Sequence, residues 1–320
     1  MTLAKHLLPF AAAAVLLLHA SARAQGEPGA PAAPPAVPLT VTVQDAKRQY
    51  LVGLDREAFA VYENDAPREI TSFSADPAPV SMGLIFDMSS SVTLKGAPLV
   101  DIARQEVFEI VRGGDRASDY FVMGFNDKAH LLADWTRDPG AVARAINALP
   151  SVQGKESGKT LLYDALYAGL ERVGRGAHAK RVLFLVTDGS DSGSRRDWKE
   201  VQRLAAETGA LVYALVLHRE TTPGLDRMWK VSRASGGWSW PVAVPSFMYS
   251  AGGEAAKREV KAALTTLALE LRNQYMLSFR PAGASAGGEL RRIVVKVRTP
   301  QKPDKPFAAR AREGYFPPTQ

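Results

Sequence analysis

Five small oxygen-bearing residues have the types and spacing to do chemistry together: Asp87, Ser89 and Ser91 as D-x-S-x-S, then Thr160, then Asp188 in LVTDGSDS. All offer hard oxygen donors, and neither histidine nor cysteine accompanies them. Such a set suits a hard cation, Mg²⁺ or Mn²⁺. The i, i+2, i+4 spacing of Asp87, Ser89 and Ser91 lets a curved loop turn alternate side chains toward one point. Mg²⁺ takes roughly six oxygens and keeps some waters, so these groups leave a coordination position for an incoming carboxylate. Each piece alone has a plainer reading. Serine-rich loops are common, Asp-Gly is a usual turn, and a threonine before a helix is often its cap. It is their order, each at a junction between elements, that favours the cation.

Thr160 also ends the stretch GKESGKT, which invites comparison with a phosphate-binding loop. That loop needs a glycine six residues before its lysine, a strand ahead and a helix behind. Counting back from Lys159 reaches Gln153, and the preceding segment DPGAVARAINALPSV reads as a helix. Asp138 caps it, Pro139 suits its first turn, and apolar residues recur at 142, 146 and 149. The phosphate reading therefore lacks its context.

Hydrolytic chemistry finds little footing. His130, His178 and His218 have no motif that pairs them with a nucleophile, and G-x-S-x-G is absent. Asp191 lies near Asp188, but two carboxylates in a Ser/Gly loop read as an outer support of a metal or as a solvated turn. In GGWSWPVAVPSFMYS, Trp238 and Trp240 alternate as in a half-buried edge strand, while Phe247 and Tyr249 follow in a loop.

Elements must hold the five residues in place. PVSMGLIFD, RVLFLVTDG and ALVYALVLH are short runs, apolar throughout, and they alternate with amphipathic helical segments. This pattern predicts an α/β fold: an open, doubly wound, mostly parallel sheet with helices on both faces. Residues 80–273 form this domain, and the close pair of strands at 119–135 adds one antiparallel edge strand. Asp87 and Asp188 then fall just past strand ends, the edge at which open α/β sheets bind ligands.

The flanks differ. Residues 38–79 contain strand patterns such as LTVTVQDA, and 274–316 contain three more, QYMLSFRP, LRRIVVKVR and FAARAREGYF. They are expected to pair with one another as a small β-rich domain. Residues 25–37, QGEPGAPAAPPAV, read as an extended Pro/Ala-rich linker. Ahead of it, a basic start, an apolar run and Ala22-Arg23-Ala24 make residues 1–24 a signal peptide cleaved after Ala24, which predicts a periplasmic or secreted protein. Loss of Lys5 and Arg23 with it lowers the formal charge from +7 to +5. The 320 residues contain no cysteine, so disulfides, thiol catalysis and thiolate metal sites are excluded. Basic residues are scattered, and no nucleic-acid motif appears.

The motif set resembles the metal-ion-dependent adhesion site of a von Willebrand factor type A domain, with D-x-S-x-S, a later threonine and an aspartate in a T-D-G turn. The resemblance implies that Asp87, Ser89, Ser91 and Thr160 gather around Mg²⁺ or Mn²⁺, with Asp188 acting through water. It also implies that a partner's Asp or Glu completes the shell. Many such loops read D-x-S-G-S; here position 90 is serine, which costs affinity if the loop needs a positive φ there. LVGLDREAFAVYENDAPREITSFS before the domain and LRNQYMLSFRP with FAARAREGYF after it are similar to the acidobacterial-type exported proteins of this family. The expectation is an exported, non-enzymatic, adhesion-type protein-binding module with no transmembrane segment once the signal is removed. The alternatives are a metal-dependent hydrolase of envelope substrates and a structural envelope component whose site stays vacant.

Overall fold

The computed structural model describes residues 35–93, 97–149, 159–219, 224–245, 251–283, 288–299 and 302–317. Residues 1–24, read above as a signal peptide, most of the expected linker, Phe247, Tyr249 and residues 154–158 lie outside them. The N-terminal flank supplies β1 (Val37–Gln44), β2 (Phe59–Glu63), β3 (Ala66–Arg68) and β4 (Ile70–Ser74). Then come β5 (Val80–Asp87), α1 (Ser90–Thr93), α2 (Ala97–Arg112), β6 (Asp119–Phe125), β7 (Ala129–Thr136) and α3 (Pro139–Ala148). Next are α4 (Leu162–Val173), β8 (Lys180–Thr187), α5 (Trp198–Thr208), β9 (Leu211–His218), α6 (Gly224–Ser235) and β10 (Ser239–Ala243). The long α7 (Ala251–Arg272) leads to β11 (Tyr275–Phe279), β12 (Arg291–Thr299), β13 (Lys302–Arg310) and β14 (Gly314–Tyr315).

One sheet runs β10-β9-β8-β5-β6-β7, parallel except for β7, which folds back antiparallel on β6. Every residue of β5 and β6 is buried, as strands covered on both faces must be. On one face Leu84 and Phe86 pack with Leu99, Val107, Val142, Ile146, Val260 and Leu264 of α2, α3 and α7. On the other, Ile85, Phe121 and Leu183 pack with Leu166, Val201 and Met228 of α4, α5 and α6. Asp138 caps α3, accepting from Gly140 N at 2.8 Å and Ala141 N at 3.1 Å. Trp238 and Trp240 are half-buried at the β10 edge, and Trp240 stacks on Tyr213.

Three expectations need correction. The flank strands do pair with one another, β1 and β4 with β11 and β2 with β12, but not clearly as a small domain of their own. They make an eight-stranded antiparallel sheet, β3-β2-β12-β13-β1-β11-β4 with β14 beside β12, and residues 34–320 are one compact unit. The physical reason is a shared buried junction. Glu270 of α7 accepts from Tyr213 of β9 at 2.5 Å, on both oxygens from Arg310 Nη2 of β13 at 2.6 Å, and from Thr42 of β1 at 3.2 Å. Second, FAARAREGYF is not one strand: β13 ends at Arg310, and Arg312 turns in to donate to Ala206 O and Pro38 O before β14 begins. Third, Val37, placed in the linker on composition, already pairs with Phe279.

Candidate metal site

The chain runs from β5 to β6 on one side and reaches β8 on the other, so its direction reverses around β5. That reversal opens a crevice at the carboxyl ends of β5 and β8. Asp87 ends β5, and Phe86 is paired with Val186 of β8, which brings Asp87 beside Thr187. Thr187 Oγ1 donates to Asp87 Oδ2 at 2.7 Å, and Asp87 Oδ1 accepts from Ser89 N at 2.9 Å. Ser89 Oγ and Ser91 Oγ stand 3.1 Å apart. The D-x-S-x-S loop thus curls so that its two hydroxyls face each other beside the carboxylate.

Ser90 does not adopt a positive φ; it opens α1. Serine in place of glycine therefore carries no backbone strain here. The glycine that is needed is Gly189 of the T-D-G turn, at φ +81°. Its carbonyl lies against Gly224, the first residue of α6, where a Cβ would come within 1.5 Å.

Thr160 reaches this region from the loop before α4. Its backbone N–H donates to Ser192 Oγ at 2.8 Å, and its carbonyl accepts from Ser192 N at 3.0 Å. Asn126 O, just past β6, accepts from Leu161 N at 2.8 Å. Thr160 is not the cap of α4. Asp191 Oδ1 accepts from Leu162 N at 3.0 Å, and Ser194 Oγ accepts from Tyr163 N at 3.1 Å. The β8–α5 loop thereby supplies the α4 N-terminus and ties Thr160 to the segment that carries Asp188. Thr187, Ser192, Ser194 and the capping role of Asp191 escape sequence reading. The cluster of serines after Asp188 was the available signal.

The electrostatics suit a cation. Asp87 is 1% exposed. Burial, with the Asp188 carboxylate nearby, pushes its carboxyl up to about 6. Only hydroxyls and a backbone N–H compensate it, and among the described residues neither Asp87 nor Asp188 has an ion-pair partner. Asp87, Ser89 and Ser91 offer oxygen donors alone, the kind that a hard divalent ion takes. Among the described residues no group of three or more His, Cys, Asp or Glu is placed to hold a metal, so any ion here depends on the hydroxyls. Two of the histidines contact main-chain carbonyls. His178 Nε2 contacts Ala117 O and His218 Nδ1 contacts Arg219 O.

Residues 82–190 match the family model of the von Willebrand factor type A domain. That segment holds all five candidate residues and covers about a third of the chain. A search of curated proteins finds no match. Among solved structures, the conserved hypothetical protein BatB from Bacteroides thetaiotaomicron is 17% identical, with a TM-score of 0.43 over 58% of this chain and 99% of that one. The von Willebrand factor type A protein from Catenulispora acidiphila is 10% identical, with a TM-score of 0.47 over 89% and 73%. Proximal thread matrix protein 1 of the mussel byssus, described with a zinc-occupied MIDAS motif, is 16% identical, with a TM-score of 0.46 over 65% and 49%.

Proposed function

We propose that the chain is an exported, non-enzymatic binding module that grips an acidic residue of a protein partner through a divalent cation at the β5/β8 crevice. Asp87, Ser89, Ser91, Thr160 and Asp188 would hold the ion, Mg²⁺ or Mn²⁺. The bound ion would supply a Lewis-acid position for a carboxylate of the partner. The observation that carries this reading is the buried Asp87, near Asp188, with hydroxyl and backbone donors but, among the described residues, no ion-pair partner. Such a carboxylate pair is costly until a cation joins it.

Export rests on the signal-peptide pattern of residues 1–24, and the acidobacterial-type kinship rests on the flank segments. No helix of the described residues is long and apolar enough to cross a membrane. Calorimetric titration of Mg²⁺ into the wild type and Asp87→Ala tests the reading. Saturable heat is expected for the wild type and none for the variant, with matching circular dichroism spectra. Equal heats in both proteins would remove Asp87 from the site. A partner captured equally well with and without chelator would sink the metal-bridged mode of binding.

A further inference from the structure

The opposite end of the parallel sheet carries two arginines without carboxylate partners. Arg181 is the second residue of β8, and Arg312 lies just past β13. Both line one cavity of about 210 Å³, with Pro38, Thr208, Gly209 and Phe316 among its walls. That is room for several waters at about 30 Å³ each. Arg312 is only 8% exposed.

Each guanidinium has five N–H donors and no acceptor. Arg312 spends one on Ala206 O at 3.2 Å and one on Pro38 O at 3.0 Å, and Arg181 spends one on Thr208 O at 3.1 Å. These bonds close the carboxyl end of α5, and the Arg312 guanidinium also lies over the Tyr315 ring. The buried Nε of Arg181 and the buried Nε of Arg312 have no hydrogen-bond partner. Among the described residues neither side chain takes part in an ion pair, and the acidic residue on the cavity wall, Glu207, is engaged by Arg203 at 2.8 Å. Burial and the charge of Arg181 push the Arg312 guanidinium down to about 10. Two cations on the wall of one cavity, close enough for the charge of Arg181 to act on Arg312, lack an anion. The planar fork of arginine matches an oxyanion such as phosphate, sulfate or carboxylate.

We propose that this cavity is a binding site for a small oxyanion, held by the guanidiniums of Arg181 and Arg312. It lies at the amino-terminal end of β8, whereas the metal site lies past the carboxyl end of the same strand, so each stands or falls without the other. The ligand bridges two guanidiniums that belong to different sheets, and so it links β8 to the β13–β14 turn.

The test is calorimetry and thermal melting of the purified protein with sodium phosphate, sodium sulfate and sodium acetate, each against sodium chloride at matched ionic strength and without divalent metal. Saturable binding and a rise in Tm beyond the chloride control are expected for at least one oxyanion. Comparison of the tetrahedral ions with acetate identifies which kind of headgroup the cavity takes. Arg181→Gln, on a partly exposed side chain, should weaken that binding on the order of tenfold, the loss of one charge-assisted contact. Arg312→Lys, which keeps the charge but loses the fork, should weaken it comparably. Tm shifts equal to those in chloride for all three salts would overturn the proposal. So would an oxyanion response that survives unchanged in Arg181→Gln.

Discussion

At the scale of single residues, what distinguishes this chain is where it leaves charge uncompensated. Asp87 and Arg312 are buried without ion-pair partners among the described residues, Asp87 at the carboxyl end of the parallel sheet and Arg312 in the turn after β13. Lys180 is a third buried charge with a different outcome. It is 2% exposed, donates from Nζ to Leu271 O at the end of α7, and burial pushes it down to about 8 despite the attraction of Glu270. An unfolded lysine titrates near 10.4, so between about pH 8 and that value the unfolded chain binds more protons than the folded one. Stability from this residue is therefore fully present above the unfolded value and is lost as pH falls through about 8. The total is about 3 kcal/mol, since each unit is worth about 1.4 kcal/mol. Comparing urea midpoints of the wild type and Lys180→Met from about pH 7 to pH 10 isolates the effect. The wild type should gain on the variant across that range, and parallel curves would show that Lys180 stays protonated in the fold.

At the scale of elements, the candidate metal site depends on a loop that does two jobs. The β8–α5 loop carries Asp188, and through Asp191, Ser192 and Ser194 it also caps α4 and holds Thr160. Asp191→Ala should cost roughly 1–2 kcal/mol, the usual loss for a helix cap. It should also weaken Mg²⁺ binding, because Thr160 loses the segment that positions it. Urea denaturation read beside a metal titration checks both, and an unchanged affinity would separate Thr160 from the ion. This arrangement also shows what sequence can convey. The apolar runs ending at Asp87 and Asp188, the Asp138 cap and the antiparallel return of β7 are local patterns, and periodicity and turn chemistry displayed them. Thr187 bonding to Asp87 is not local, since it requires β5 and β8 to be neighbours although 100 residues separate the pair. The capping of α4 by Asp191, 29 residues downstream, is hidden for the same reason. The tail misleads differently: Gly314 and Tyr315 continue an alternating pattern, and only the inward turn of Arg312 breaks the strand.

At the scale of the whole molecule, the two sheets meet in a polar junction centred on Glu270, which is 2% exposed. Tyr213 from the parallel sheet, Thr42 and Arg310 from the flank sheet and Tyr50 from the turn after β1 all converge on its carboxylate. Gln274, at the end of α7, bonds to both Tyr213 and Thr42. Arg310 also donates to Gly236 O and Gly237 O and lies over the Trp238 ring. An apolar junction would let the sheets slide or separate, whereas charge-assisted hydrogen bonds hold one geometry and penalise its loss. The sheets are therefore expected to unfold together, in a single thermal transition that calorimetry can test. Glu270→Ala leaves Arg310 buried without its carboxylate, a loss of about 3–5 kcal/mol. Glu270→Gln keeps the hydrogen-bonding shape but not the charge and should lose less. If the Ala variant instead melts in two steps, with the parallel-sheet step at the wild-type temperature, the flank sheet is an independent body. The metal-site module would then need no support from it. A single transition lowered for the whole chain would mean that the flanks stabilise the frame that carries Asp87 and Asp188.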